Sequence, residues 1–253
     1  NICFLIGSLS NSGGTERVTS LIANELSKQN NNISILNLAG GSVPFFELND
    51  NIHTSSLYSK EVSFKKNFIG TIWKIRRFVQ RHQIDTLIVV DSISCMFTVP
   101  ALYGLTVNHI CWEHFNFNVN LGVKSRDLGR KLAAKYCDHI VTLTKRDKEL
   151  WEQGLKTIHA KIVPIANPTP YENIEHIPSI DSKTILSLGR LTYQKGFDLL
   201  IEAWAQVCHV NDDWILQIIG SGEDEKALKD QAKSLDVFDR IDFIPVTRDV
   251  EHY

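Results

Sequence analysis

Nine short apolar runs, separated by segments of helical periodicity, constrain the fold of this 253-residue chain more than any other feature. The runs are 2–7, 33–38, 86–91, 107–112, 139–144, 161–166, 184–189, 214–220 and 241–245. Continuous apolar strands that alternate with helices are typical of parallel sheets covered on both faces. The pattern therefore predicts an α/β fold with two Rossmann-like domains, each built around a doubly wound parallel sheet.

The segment between the sixth and seventh runs has a different composition. Residues 167–183 contain three prolines and little hydrophobic periodicity, and proline is unfavourable in helix interiors and central strands. We predict an N-terminal domain over 1–166, a linker over 167–183 and a C-terminal domain over 184–253. The second domain is predicted to contain three strands and two helices, roughly half of a doubly wound domain, so the sequence is interpreted as part of a longer chain.

Charge is unevenly distributed between the predicted domains. Residues 1–166 carry 19 Lys and Arg against 13 Asp and Glu, or +6, whereas residues 167–253 carry 8 against 16, or −8. This asymmetry favours different partners for the two domains. No apolar run approaches the ~20 residues that cross a bilayer, and the first residues lack the features of a signal peptide. We therefore predict a cytoplasmic protein that can associate peripherally with the inner face of the membrane.

The five cysteines are scattered along the chain. They are Cys3, Cys95, Cys111, Cys137 and Cys208. No pair has CxxC spacing, and their order along the chain shows no metal-ligand pattern. We predict buried free thiols in a reducing compartment, and no metal site.

The stretch GSLSNSGGTERV, residues 7–18, joins the first predicted strand to the first predicted helix. Gly13 and Gly14 allow backbone amides to approach a ligand closely, and the N-terminus of a helix favours anions. The stretch matches neither GxGxxG nor the Walker motif. The alternative is a tight turn capped by Ser12 or Thr15, without a ligand.

The stretch LSLGRLTYQKGFDLL, residues 186–200, begins as a buried strand and ends as a helix. Arg190 and Lys195 lie at the predicted C-terminal edge of the second sheet, where open α/β folds bind ligands. The guanidinium fork and the mobile ammonium together suit a diphosphate. The alternative is a solvated loop with two surface cations, which the acidic character of this domain disfavours.

A third stretch, IIGSGEDEKAL, residues 218–228, places Gly220 and Gly222 between a strand and a helix. The acidic residues that follow suit the first turn of a helix but would repel a phosphate. The glycines therefore indicate either contact with a nucleoside or a structural turn, and both interpretations stay open.

Together these stretches resemble glycosyltransferase family 4, the retaining sugar-nucleotide transferases of the GT-B fold. The matching residues are GGTER (13–17), WEH (112–114), IANP (165–168), 187–204 and 218–228. The resemblance covers nearly the whole chain. The GGTERV and WEH stretches are most similar to members that build bacterial capsular or exopolysaccharide repeat units.

The resemblance implies roles for individual residues. Arg190 and Lys195 are expected to bind the donor diphosphate, and Gly14 to let the N-terminus of the first helix face it. His114 matches the active-site histidine that touches the donor sugar, with Glu113 orienting it or lining the acceptor pocket. The alternative for His114 is a purely structural role in its loop. The family also carries a Glu-x7-Glu motif late in its second domain, which this sequence does not reach.

We predict a retaining, hexosyltransferase-type enzyme that transfers a sugar from a nucleoside-diphosphate donor, a UDP-sugar by preference, without metal or cofactor. The acceptor is a hydroxyl of a glycan or lipid-linked oligosaccharide in surface polysaccharide synthesis. The alternatives are a sugar-nucleotide epimerase of the same architecture, which needs no acceptor, and a non-catalytic nucleotide-sugar-binding or scaffold protein. A dehydrogenase is disfavoured, because neither glycine turn matches the dinucleotide fingerprint.

Two basic segments, 64–83 and 124–135, raise the question of a membrane surface. On a helix, Phe68, Ile72, Ile75 and Val79 form one apolar stripe, and the cations of the first segment lie away from it. Such helices either cover the sheet with their cations in water or rest on anionic lipid. No nucleic-acid-recognition motif is present, so nucleic acid is not expected as a partner.

Overall fold

The computed structural model describes residues 1–41, 43–169 and 179–247. The chain divides into two compact units, Asn1–Pro170 and Tyr171–Tyr253. Their boundary falls within the segment predicted as a linker, and residues 170–178 of that segment lie outside the described residues.

The first unit is built on a parallel sheet of seven strands. These are β1 (Ile2–Ile6), β2 (Ile33–Asn37), β3 (His53–Ser56), β4 (Thr86–Val90), β5 (Asn108–Trp112), β6 (His139–Thr142) and β7 (Lys161–Pro164). Their order across the sheet is β3-β2-β1-β4-β5-β6-β7. Each of the six apolar runs predicted for this domain contains a strand. The sequence did not predict β3, because this edge strand, HTSS, is short and polar and pairs only with β2.

Five helices cover the two faces of this sheet. They are α1 (Gly14–Ser27), α2 (Phe68–Arg81), α3 (Cys95–Leu102), α4 (Lys124–Tyr136) and α5 (Lys145–Gly154). Side chains alternate along a strand, so Cys3 and Leu5 of β1 enter one core and Phe4 and Ile6 enter another. The predicted apolar stripe of α2 packs into the first of these cores.

The second unit has three parallel strands in the order β10-β9-β8. The strands are β8 (Thr184–Leu188), β9 (Ile215–Ile219) and β10 (Ile241–Ile244), and the helices are α6 (Phe197–Cys208) and α7 (Glu225–Ser234). This confirms the predicted succession of three strands and two helices. The core of the unit packs Phe197, Ile201 and Trp204 of α6 against Leu216 and Ile218 of β9.

The strand order of the first unit reverses direction at the β1–β4 pair. Ligands of open α/β sheets bind at the carboxyl ends of the strands beside such a reversal. The segments that follow β1, β4 and β5 therefore define the edge on which a site is expected in this unit.

The cysteines agree with the prediction of free thiols. All five are free, four are buried, and Cys208 is half-buried. None of the helices in the described part of the chain combines the length and the apolar character needed to cross a bilayer.

Candidate functional site

The N-terminus of α1 presents backbone amides without a side-chain cap. Gly13 is the N-cap residue in an extended conformation, and no side chain among the described residues caps the helix there. Apart from the neighbouring backbone, a Cβ added to Gly14 would meet no atom of the described residues within 4 Å, so no described side chain packs on this position. Uncapped amides at a helix N-terminus can donate to an anion. This arrangement disfavours the alternative of a turn capped by Ser12 or Thr15.

Arg190 and Lys195 lie on the turn that links β8 to α6, and both are exposed. Neither side chain has a hydrogen bond or ion pair with any of the described residues. The Cγ of Lys195 lies 3.7 Å from the position of a Cβ on Gly189, so both cations belong to one turn. Gly196 ends the turn with φ of +65°, a conformation that glycine adopts at little cost. The turn therefore presents two positive charges that no described residue pairs.

Gly220 and Gly222 follow β9 and pack directly against the β8–α6 turn. A Cβ on Gly220 would lie 1.9 Å from the carbonyl oxygen of Gly189, and one on Gly222 would lie 2.1 Å from that of Leu191. The amide of Leu191 also donates to Ser221 at 2.9 Å. Both glycines are thus required for close backbone packing that supports the turn. Their predicted contact with a nucleoside stays a prediction.

His114 follows β5 and contacts the last residue of that strand. Its ring centroid lies 4.5 Å from that of Trp112. The Nε2 atom is buried, and no described residue provides a hydrogen-bond partner for it. Burial lowers the pKa of His114 to about 4, so the imidazole is neutral at neutral pH. Buried polar atoms usually have a partner, so this nitrogen, unpaired among the described residues, is a candidate hydrogen-bonding group for a ligand.

Glu113 is fully buried, and protein groups surround its carboxylate. Oε1 accepts from the backbone amides of His114 and Phe115, at 3.0 and 3.1 Å. Oε2 accepts from the hydroxyl of Ser92 at 2.5 Å and from Nε of Arg130 at 3.2 Å. Burial raises the pKa of Glu113, and Asp91 raises it further, whereas Ser92 and Arg130 lower it. These contacts favour the orienting role predicted for Glu113 over a place in the lining of a pocket.

Two arginines of α4 complete the hydrogen-bond network around Glu113, and neither was predicted as a site residue. Arg126 pairs with Asp91 at 2.7 Å and lies over the ring of Phe115 at 4.1 Å. Asp91, the residue after β4, has φ of +78° and ψ of 122°, and such strain often marks functional positions. The signal in the sequence was a pair of arginines at i and i+4 on a helix that begins shortly after His114.

Arg130 connects the carboxylate of Glu113 to the loop that follows β5. It donates to the backbone carbonyls of Asn116, Phe117 and Val119, at 3.1, 2.6 and 2.8 Å. Its guanidinium therefore holds residues 116–119 in place.

The profiles of two protein families match this chain. The profile described as "Glycosyltransferase Family 4" matches residues 12–172, and the profile "Glycosyl transferases group 1" matches residues 172–253. A protein described as an uncharacterized glycosyltransferase of Haemophilus influenzae is 41% identical over 252 residues. This alignment covers all of the present chain and 70% of that relative.

Two further relatives have named activities. The amylovoran biosynthesis glycosyltransferase AmsD of Erwinia amylovora is 23% identical, over all of this chain and 71% of its own. An alpha-1,4-N-acetyl-D-galactosaminyltransferase of Campylobacter jejuni, named as acting on a glycan linked to PP-undecaprenol, is 26% identical over 96% of this chain and 67% of its own.

Solved structures give the same fold. The Anabaena protein Alr3699/HepE, in complex with UDP and glucose, superposes with a TM-score of 0.76 at 15% identity. The match covers 99% of this chain and 70% of that one, and at this identity it establishes the fold alone. The chain therefore belongs to glycosyltransferase family 4, with the GT-B fold and with bacterial relatives in exopolysaccharide synthesis.

Proposed function

We propose that the protein is a retaining glycosyltransferase that moves a hexosyl group from a UDP-sugar to a hydroxyl of a glycan or lipid-linked oligosaccharide. One observation carries the proposal: Arg190 and Lys195 are two exposed cations on one turn, unpaired among the described residues, in a unit that is otherwise acidic. Such a pair matches the diphosphate of a nucleotide sugar. The UDP and glucose in the Anabaena structure support the choice of donor.

In the proposed reaction the bond from the anomeric carbon to the diphosphate oxygen breaks, and a bond to the acceptor oxygen forms on the same face of the sugar. The proton of the acceptor hydroxyl passes to the departing phosphate oxygen, so no protein base is needed. Arg190 and Lys195 stabilise the charge that develops on the leaving diphosphate. In the first unit, the backbone amides at Gly13 and Gly14 are the donors to an anion that we propose.

His114 is proposed to contact the donor sugar as a neutral hydrogen-bonding group. A cationic imidazole there would require protonation of a buried ring, which its lowered pKa opposes. Glu113 does not touch substrate in this proposal. It holds the backbone amides of residues 114 and 115 and so positions the histidine. The transfer requires neither a metal ion nor a cofactor at the reacting centre.

The acceptor is proposed to be presented at an anionic membrane surface. The helix α2 exposes Ile69 by 80% and Trp73 by 56%, beside the exposed cations Arg77 and Arg81. Next to these cations a cavity of about 300 Å³ opens between α2 and β3. The Campylobacter relative, which is named for an undecaprenol-linked acceptor, supports a lipid-linked substrate. Nucleic acid is not proposed as a partner.

Replacement of Lys195 by alanine in the natural full-length protein tests the proposal. We expect turnover with UDP-sugar to fall by about tenfold or more, since one charge-assisted contact to the leaving group contributes roughly 1.5–3 kcal/mol. The melting temperature should stay unchanged, because the side chain is exposed and lacks a partner among the described residues.

Lys226→Ala is the matched control, because this lysine is also exposed and lies on α7 of the same unit. Retention of full turnover by Lys195→Ala would refute the role of the lysine. Release of an altered free sugar without acceptor would instead identify an epimerase. Binding of nucleotide sugar, detected as a rise in melting temperature, without any turnover would indicate a non-catalytic binding protein.

A further inference from the structure

Three thiols and one imidazole converge in the core behind β5. Cys95 begins α3, His109 and Cys111 lie on β5, and Cys137 directly follows α4. Cys95 and Cys111 have no exposed surface, and the exposed fractions of His109 and Cys137 are each 4%. The ligand atoms of Cys95, His109 and Cys137 all lie within 4.8 Å of one another. These residues come from three different elements, so only the fold brings them together.

The spacing of these atoms suits a single metal ion. The Sγ of Cys137 and the Nδ1 of His109 are 3.5 Å apart. In a tetrahedral zinc site, bonds of about 2.3 Å to sulfur and about 2.0–2.1 Å to nitrogen leave the two ligand atoms about 3.5 Å from each other. This pair therefore already has the separation that zinc would require.

The chemistry of the ligands agrees with the spacing. Cysteine sulfur and histidine nitrogen are the atoms that hold zinc in structural sites, and a set of three cysteines with one histidine is among the common ones. Coordination requires the cysteines as thiolates, and three thiolates with one neutral imidazole would leave a bound Zn²⁺ with a net charge of −1.

A fourth sulfur lies beside these three ligands. Cys111 is fully buried in the same core as Cys95 and lies on the same face of β5 as His109, two residues away. Its sulfur is not one of the three ligand atoms that lie within 4.8 Å of one another, so it would have to move to complete a tetrahedral set. Structural zinc sites are closed in this way, with four protein ligands and no position for substrate.

We propose that Cys95, His109 and Cys137 bind one thiophilic metal ion, zinc by preference, with Cys111 as the fourth ligand. The ion would tie α3, β5 and α4 together two residues before Glu113, the carboxylate that orients His114. Its role is structural, so the site is compatible with a transfer that uses no metal. Soft thiolate ligands exclude magnesium and calcium, which prefer oxygen.

The test measures bound metal in the full-length protein. The protein is produced in zinc-supplemented medium, dialysed against metal-free buffer and analysed by inductively coupled plasma mass spectrometry. We expect about one zinc ion per chain in the wild type and at least a fivefold loss in Cys95→Ser and in Cys137→Ser, since each variant removes a ligand. Cys3→Ser is the matched control, because Cys3 is equally buried in the same core but lies outside the group.

Cobalt provides a second readout that does not depend on any variant folding. Wild-type protein produced with Co²⁺ in place of zinc should show thiolate-to-cobalt charge-transfer absorption and the visible bands of tetrahedral cobalt. Wild-type protein without zinc and without these bands would overturn the proposal. An equal loss of zinc in Cys3→Ser and Cys95→Ser would also overturn it, because the metal would then not depend on these ligands.

Discussion

At the scale of single residues, His114 shows how burial determines the protonation state of a side chain. An exposed histidine is half protonated near pH 6.5, whereas burial lowers the pKa of His114 to about 4. Its contact with Trp112 and the absence of a described partner for Nε2 both follow from its place at the end of a central strand. The neutral ring can donate or accept one hydrogen bond to a sugar hydroxyl without a counter-charge.

This lowered pKa predicts a pH dependence of stability. Between pH 6.5 and about 4, the unfolded chain binds a proton at His114 that the folded chain does not bind. The contribution of the neutral His114 to the free energy of unfolding is therefore fully present above pH 6.5. It is lost as pH falls towards 4, by up to about 3 kcal/mol. Urea unfolding at pH 7 and pH 5 should show a larger loss for the wild type than for His114→Gln.

The comparison with His114→Gln is needed because burial also lowers the pKa values of His82 and His109. The wild type and His114→Gln share the pH dependence of stability that His82 and His109 contribute. The difference between the two proteins therefore isolates the effect of His114. Equal losses of stability in the two proteins would contradict a lowered pKa at this position.

At the scale of elements, α4 connects the ends of two strands. Arg126 reaches Asp91 after β4, and Arg130 reaches Glu113 after β5, so one helix face positions both loops. These pairs are buried, and a buried pair that loses one partner is destabilised more than an exposed pair. The rigidity of the loop that carries His114 depends on this face.

The replacement Arg130→Met tests this dependence. It would leave the carboxylate of Glu113 buried without its counter-charge and would remove the donor to three backbone carbonyls. We expect the free energy of unfolding, measured in urea, to fall by about 3–5 kcal/mol.

Arg146→Met is the control, since Arg146 forms an exposed pair with Glu149 on α5. Its loss should cost about 0–1 kcal/mol. Addition of Glu113→Gln to Arg130→Met should restore part of the lost stability, because the second change removes the uncompensated charge. Similar costs for the two arginine variants would show that Arg130 does not anchor the loop.

At the scale of the whole molecule, the opposite net charges of the two halves predict different surfaces. The basic first half contains the exposed apolar residues of α2, and α4 adds Leu128 and Tyr136, exposed by 48% and 53%. Apolar side chains among cations favour anionic lipid surfaces, and the attraction weakens with salt.

Vesicle co-sedimentation tests this surface. The full-length protein should bind vesicles that contain phosphatidylglycerol and should bind phosphatidylcholine vesicles several-fold less. The double variant Ile69→Asp, Trp73→Ala should lose most of the binding, because it removes the two exposed apolar anchors of α2. Val210→Asp, at a position exposed by 80% on the acidic half, is the control. Unchanged binding by the double variant would refute the proposed surface.

Much of the fold could be predicted because its signal is local. Apolar runs located nine of the ten strands in the described part of the chain, and helical periodicity located the stripe of α2 that packs on the sheet. The tenth strand, β3, has no apolar run, because an edge strand is covered less than a central one. Its position depends on pairing with β2, which no local pattern encodes.

The residues of the candidate site also form two groups, those indicated by local sequence and those that only the fold brings together. Glycines and cations next to strand ends indicated Gly14, Arg190 and Lys195 as candidates, since a sheet edge and a turn can be recognised from neighbouring residues, and their ligand-binding roles stay predictions. The partners of Glu113 could not be predicted, because Ser92 and Arg130 reach it from separate elements. The same holds for Asp91, whose strain and ion pair exist only in the folded chain.

The amino-acid sequence by itself determined the parallel α/β architecture, the family and the location of the two cations, because each depends on residue type and short spacing. Tertiary structure alone decided that His114 is neutral and that the buried carboxylate of Glu113 holds the backbone amides of residues 114 and 115. It also decided that Cys95, His109 and Cys137 lie close together. Burial and convergence depend on how distant segments pack, and the cysteines gave no metal-ligand spacing along the chain. Only the packing of α3, β5 and α4 turned scattered thiols into a potential metal site.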